Sequence, residues 1–150
     1  MPQSLFKVCA HMVWSTRSRR RFLHEGVRPG LHSYVAGILR KMGCDAINVG
    51  GTGDHIHIVC CLSKTEPPVR LIQAAKGRSS GFAKTLGPDL HEFAWQRGYG
   101  IFSVAPHDFD AAVDYVEAQT EHHRTRTFRE EFMRFVRQYD LPYDERYMWE

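Results

Sequence analysis

Two strand-like runs stand back to back in the middle of this chain, and they constrain its plan more than any other feature. CDAINVG (44–50) and DHIHIVCCL (54–62) are joined through Gly50, Gly51, Thr52 and Gly53. β-Rich runs that meet at a short glycine-rich tip read as a hairpin. A helical pattern lies on each side of it. Before the hairpin, Leu31, Tyr34, Val35, Ile38 and Met42 recur at helical spacing after Pro29 and Gly30, and Gly43 fits a C-terminal stop. After it, Pro67 and Pro68 open a second helix, predicted to run to about Leu86, where Gly87-Pro88 ends it. Val69, Ile72, Ala75, Ser79, Phe82 and Leu86 mark its buried stripe.

Two more strands are predicted outside these helices, at Leu5–Trp14 and Phe93–Val104, the latter entered or interrupted through Gly98 and Gly100. Helical segments follow over about Asp108–His123 and about Phe128–Tyr139. The order β-α-β-β-α-β-α predicts an α+β fold: a ferredoxin-like (RRM-like) sandwich with a four-stranded antiparallel sheet and helices on one face. The 150 residues make one domain, 1–150, and 43% hydrophobic content is enough to form a core without disulfide staples. Cys9, Cys44, Cys60 and Cys61 form no CxxC pair, which argues against a structural zinc site. The longest wholly apolar run is the five residues Ile58–Leu62, too short to span a bilayer. MPQSLFKVCA has no apolar signal core or cleavage site, so the expected location is the cytoplasm, with no membrane partner.

The candidate chemistry sits in two places. His55 and His57 flank Ile56 in the hairpin's second run. Side chains alternate along a strand, so both imidazoles share a face, roughly 7 Å apart along the chain. That spacing suits two ligands of one metal ion, and it also fits two histidines on a half-exposed strand with no ligand. Asp54 is placed either to orient an imidazole or simply to turn the chain. In the third helix Tyr115 and Gln119 are one turn apart. At about 100° per residue they share a face with Asp108, Ala111, Ala112 and His122, while Phe109, Val113, Val116 and Thr120 form the core stripe. Taken alone, Tyr115 also fits an exposed or interface tyrosine. Together, imidazoles and an amide oxygen could hold a Lewis-acidic ion at a phosphate, and a tyrosine hydroxyl beside it could attack phosphorus.

An H-x-H strand followed by a helix with tyrosine and glutamine four residues apart resembles the HUH-type single-tyrosine transposases, the insertion sequence 200-like family. The resemblance extends to HMVWSTRSRR, GGTGDHIHIV, WQRGYGIFSV, YVEAQTEHHR and DERYMW, nearly the whole chain. It implies that Tyr115 is the nucleophile that takes a 5′-phosphate, and that His55, His57 and Gln119 bind the metal, Mg²⁺ or Mn²⁺. It also implies single-stranded DNA with a hairpin as substrate and a homodimer as the working unit. The tyrosine helix would act on its own or its partner's site. A domesticated relative that processes repeated hairpin DNA shares the same chemistry. A non-cleaving nucleic-acid-binding module of this fold is the alternative from another class, but it needs neither H-x-H nor Tyr-x₃-Gln.

Charge is consistent with a polyanion partner. Residues 1–80 carry 12 Lys/Arg against 4 Asp/Glu, and residues 81–150 carry 8 against 13. Arg17, Arg19, Arg20 and Arg21 form one candidate phosphate-contacting cluster, and Arg70, Lys76 and Arg78 on the second helix form another. Trp14, Trp95 or Tyr99 could stack on an unpaired base, although a core position is the better explanation of each. The glycines of the hairpin lack the Lys-Ser/Thr of a phosphate-binding loop and are read as turn residues.

Overall fold

A computed structural model describes residues 2–119 and 126–150. Four strands, β1 (Cys9–Ser15), β2 (Asp45–Thr52), β3 (His55–Cys61) and β4 (Gly100–Ser103), form one sheet in the order β2-β3-β1-β4. Every pairing in it is antiparallel. Helices α1 (Arg28–Lys41) and α2 (Pro68–Ala83) make the two crossovers, and α3 (Phe109–Glu117), α4 (Phe128–Gln138) and the short α5 (Glu145–Met148) follow. This is the predicted ferredoxin-like α+β arrangement.

The ends of α1 follow from local sequence. Pro29 stands in its first turn, where proline's fixed φ suits a helix and its missing N–H is no loss. At the other end Gly43 adopts φ +79°, its amide donates to Arg40 O at 3.1 Å, and the Cys44 amide donates to Leu39 O at 2.9 Å. That is a Schellman cap, which requires the left-handed residue that glycine supplies without strain.

Strand alternation divides the sheet into two faces. Met12, Trp14, Ile56 and Ile58 point to one side and pack with Leu31, Val35 and Leu39 of α1 and Leu71, Ile72 and Ala75 of α2. Removing each large side chain from water is worth roughly 1.5–3 kcal/mol, so this layer is the principal core. The cysteines are free thiols, with Cys44 and Cys60 buried in it. The expectation of helices on one face is corrected by the other side. There Val13 and Phe102 pack with Phe128, Phe132 and Val136 of α4, and α3 lies against β2 and β3. The sheet is covered on both faces because its second face also carries His11, His55 and His57, all buried.

Two strands are shorter than the sequence suggests. Leu5, Phe6 and Val8 are exposed and precede β1. The predicted Phe93–Val104 strand is reduced to Gly100–Ser103, with only a single bridge from Trp95 to Thr16 upstream. The Lys76 ammonium gathers the carbonyls of Gln96, Arg97 and Gly98 at 2.8, 3.1 and 2.6 Å, which curls this stretch and withholds it from the ladder. The hairpin tip is tighter than read: Gly50 and Gly51 pair within β2, and only Gly53 and Asp54 make the turn.

A capping box starts α4. The Glu130 amide donates to Thr127 Oγ1 at 3.2 Å, and the Thr127 amide donates to Glu130 Oε2 at 3.3 Å. Thr127→Ala is expected to lower stability by about 1 kcal/mol, measured as a shift in the urea midpoint at unchanged m-value.

Candidate active site

The site forms where β3 passes beneath α3 and α4. His55 and His57 share a face of β3 as expected, are wholly buried, and have ring centroids 5.1 Å apart. Gly50 is paired with His57 on the neighbouring strand. A Cβ at Gly50 would run into the Val116 carbonyl oxygen and stand 2.9 Å from Val116 Cγ1. The bare backbone there lets α3 settle onto the sheet, which brings Tyr115 and Gln119 over the histidines.

Gln119 is buried, with Oε1 3.0 Å from His55 Nε2, and its Nε2 donates to the Tyr115 carbonyl at 3.3 Å. The Tyr115 hydroxyl donates to Glu131 Oε2 in a short hydrogen bond. The other carboxylate oxygen, Glu131 Oε1, lies 2.8 Å from His57 Nε2 and 3.9 Å from His55 Nε2. His55, His57 and Glu131 are all buried and offer one ligand atom each within 4.8 Å of one another.

Each imidazole is oriented from behind. His55 Nδ1 lies 2.7 Å from Asp54 Oδ1 and 3.2 Å from Thr52 Oγ1. Burial raises the Asp54 pKa, but hydrogen bonding and attraction from His55, the Arg21 charge and the Thr52 hydroxyl together bring it below the ordinary carboxylate value. An ionised Asp54 calls for a proton on Nδ1, which leaves the Nε2 lone pair facing inward. His57 Nδ1 lies 2.6 Å from His11 Nε2. Burial and then the neighbouring His57 push His11 down to about 3, against the pull of Glu131, so His11 is neutral and can accept the His57 Nδ1 proton. Both Nε2 atoms therefore face the same interior point. Asp54→Ala removes the carboxylate behind His55 and is expected to weaken divalent-cation affinity about 10–100-fold, read by titration calorimetry.

Tyr115 is held in its neutral form. Burial, then the hydrogen bond to Glu131 and its charge, raise the phenol's pKa above the ordinary value, while Gln119 and Arg126 act the other way. A phenol like this attacks only where its developing negative charge is offset.

The basic candidates separate into two groups. Arg17, Arg20 and Arg21 are exposed after β1, and Arg19 is half-buried, its guanidinium 5.4 Å from the Trp149 ring. Arg20 pairs loosely with Glu92 at 3.5 Å. The Arg21 guanidinium lies against Gly53, which places this cluster at the hairpin tip beside Asp54 and His55. Arg70, Lys76 and Arg78 belong to α2, on the opposite face of the sheet. Arg70 and Arg78 are exposed, and the Lys76 ammonium is held by its three carbonyls. Trp14 and Trp95 are core residues packed edge to face, while Tyr99 is 39% exposed. His122 lies outside the described residues.

Sequence reasoning missed Glu131 and His11. Glu131 carried a legible signal: it falls three residues after Phe128 and next to Phe132, on the apolar stripe of α4, where a carboxylate has no place unless something binds it.

Known proteins share the fold that carries this site. Residues 4–119 match the family model described as "Transposase IS200 like". No curated protein matches the chain. Among solved structures, a candidate transposase of Deinococcus radiodurans R1 superposes with a TM-score of 0.62 at 20% identity, covering 79% of this chain and 98% of its own. A REP-associated tyrosine transposase bound to a REP hairpin superposes with a TM-score of 0.61 at 15% identity, covering 82% of this chain and 72% of its own. At these identities the two structures speak for the fold, and the family match extends over most of the sequence. The chain belongs to the IS200-like transposase family.

Proposed function

We propose that this transposase cuts and rejoins single-stranded DNA at hairpin-marked ends through a covalent 5′-phosphotyrosine on Tyr115. The observation that carries this reading is the meeting of the Tyr115 hydroxyl and two inward-facing imidazoles at one buried carboxylate, Glu131. The donor set fits a divalent cation, since imidazole nitrogens fixed through Nδ1 stand beside amide and carboxylate oxygens. Oxygen donors suit Mg²⁺, and imidazole adds preference for Mn²⁺. His55, His57 and Gln119 would hold such an ion, which supplies Lewis-acid polarisation of a phosphate oxygen.

The chain's own groups do the rest. Tyr115 Oη attacks phosphorus and gives up its proton. The Tyr–O–P bond forms, and the bond to the 3′ oxygen breaks. That oxygen leaves with the electron pair and takes up a proton, which frees a 3′-hydroxyl. A second 3′-hydroxyl then attacks the phosphotyrosine and restores Tyr115, so the strand is rejoined without an external energy source. Arg17, Arg19, Arg20 and Arg21 grip phosphates beside the site, and Arg70 and Arg78 belong to a surface that a folded hairpin would have to wrap to reach. A homodimer would present two such sites to two DNA ends, although one copy already places Tyr115 beside its own H-x-H pair.

The test is incubation with single-stranded DNA taken from the flanks of the encoding gene, with Mg²⁺ or Mn²⁺ and with a chelator. The expected result is a protein–DNA adduct that survives denaturing electrophoresis and forms only with the ion. Retention of DNA with no adduct under any of these conditions would make the protein a binding module.

A further inference from the structure

Glu131 stands twelve residues beyond the matched span of 4–119, so the family match assigns it nothing. It is 1% exposed, on a face of α4 otherwise occupied by Phe128 and Phe132. An ionised carboxylate in such surroundings costs several kcal/mol unless its neighbours compensate.

Those neighbours point to one kind of compensation. His55 Nε2 faces the Gln119 amide oxygen at 3.0 Å while its Nδ1 faces Asp54. His57 Nε2 faces Glu131 Oε1 at 2.8 Å while its Nδ1 faces His11. Both contacts are of hydrogen-bond length, and the same four inward-facing atoms are the ones a cation between them would take as ligands. Ligand atoms bonded to one ion at about 2.0–2.2 Å stand at most about 4.4 Å apart. The three atoms of His55, His57 and Glu131 lie within 4.8 Å, a few tenths of an ångström from that limit. His55, His57 and Gln119 are neutral donors, so a carboxylate is also what a doubly charged ion would need to be partly neutralised.

We propose that Glu131 is a ligand of the cation site, an anionic oxygen from α4 that joins His55, His57 and Gln119. Its second oxygen at the same time holds the Tyr115 hydroxyl against that site. One carboxylate then couples three things: occupancy of the site, docking of α4 and placement of the nucleophile. This inference rests on the cation-binding part of the proposed function.

Mn²⁺ binding to the full chain without DNA tests it, followed by the electron paramagnetic resonance of free Mn²⁺. Glu131→Gln, which keeps shape and removes charge, is expected to weaken binding about tenfold or more, and His55→Ala at least as much. Mn²⁺ is also expected to slow backbone hydrogen exchange in α4 of the unaltered protein, a readout that does not depend on any variant folding. Wild-type Mn²⁺ affinity in Glu131→Gln, with loss in His55→Ala, would overturn the ligand role of Glu131 and leave the histidine site standing. Unchanged affinity in both variants would remove the cation site itself. Exchange in α4 that ignores Mn²⁺ would also overturn the proposal.

Discussion

Tyr115→Phe is expected to abolish the proposed covalent protein–DNA adduct, with at least about a 10³-fold loss of strand cleavage, the scale seen when a nucleophile is removed from a catalytic unit. The substitution deletes one oxygen and leaves the ring. That ring makes edge contacts with His57 at 6.0 Å and Phe135 at 6.1 Å, both of which Phe can keep. The hydrogen bond to Glu131 is lost, and a buried acceptor deprived of one donor costs about 1–3 kcal/mol. Glu131 retains the contact of Oε1 with His57, so the lower end of that range is expected, with the fold intact by circular dichroism. DNA retention should be unchanged, because the exposed arginines after β1 make no contact with the phenol. The assay is a denaturing gel with radiolabelled single-stranded DNA. A Phe variant that still forms the adduct would mean that another side chain is the nucleophile.

How much of this was legible in the sequence depends on how local the cause is. The hairpin, the two crossover helices and the Gly43 stop are written in a few adjacent residues each, and they appear where expected. His55, His57, Tyr115 and Gln119 could be named because period 2 and period 3.6 place each pair on one face, and the structure brings the two pairs together. What was not legible has distant causes. The late start of the predicted fourth strand comes from Lys76, some twenty residues upstream, capturing three carbonyls. The second covered face was missed because His55 and His57 also fit a half-exposed strand. They are polar because they face a polar interior under α3 and α4. Glu131 was overlooked for the same reason, as a charge in an amphipathic helix is by default assigned to water.

Gly50→Ala is the second large effect, and it tests whether α3 is seated in the active form as it is in this structure. One methyl at this position would overlap the Val116 carbonyl oxygen and crowd Val116 Cγ1 at 2.9 Å. The obstructing atom is backbone, so no side-chain rotation relieves it and α3 itself must lift. Overpacking of this kind costs about 1–3 kcal/mol. Tyr115 immediately precedes Val116 and Gln119 follows three residues later, so both ride with the helix away from His55 and His57. A misplacement near 1 Å in a catalytic constellation costs roughly 10²-fold in rate, and a loss of that size in adduct formation is expected, with DNA retention preserved. Gly37→Ala is the matched control. Nothing lies within 4 Å of a Cβ there, in the interior of α1. The same exchange should therefore stabilise the protein by about 0.4–1 kcal/mol and leave cleavage alone. Equal cleavage by Gly50→Ala and Gly37→Ala would show that DNA rebuilds the approach of α3 to the sheet, and that the seat at Gly50 does not place the nucleophile.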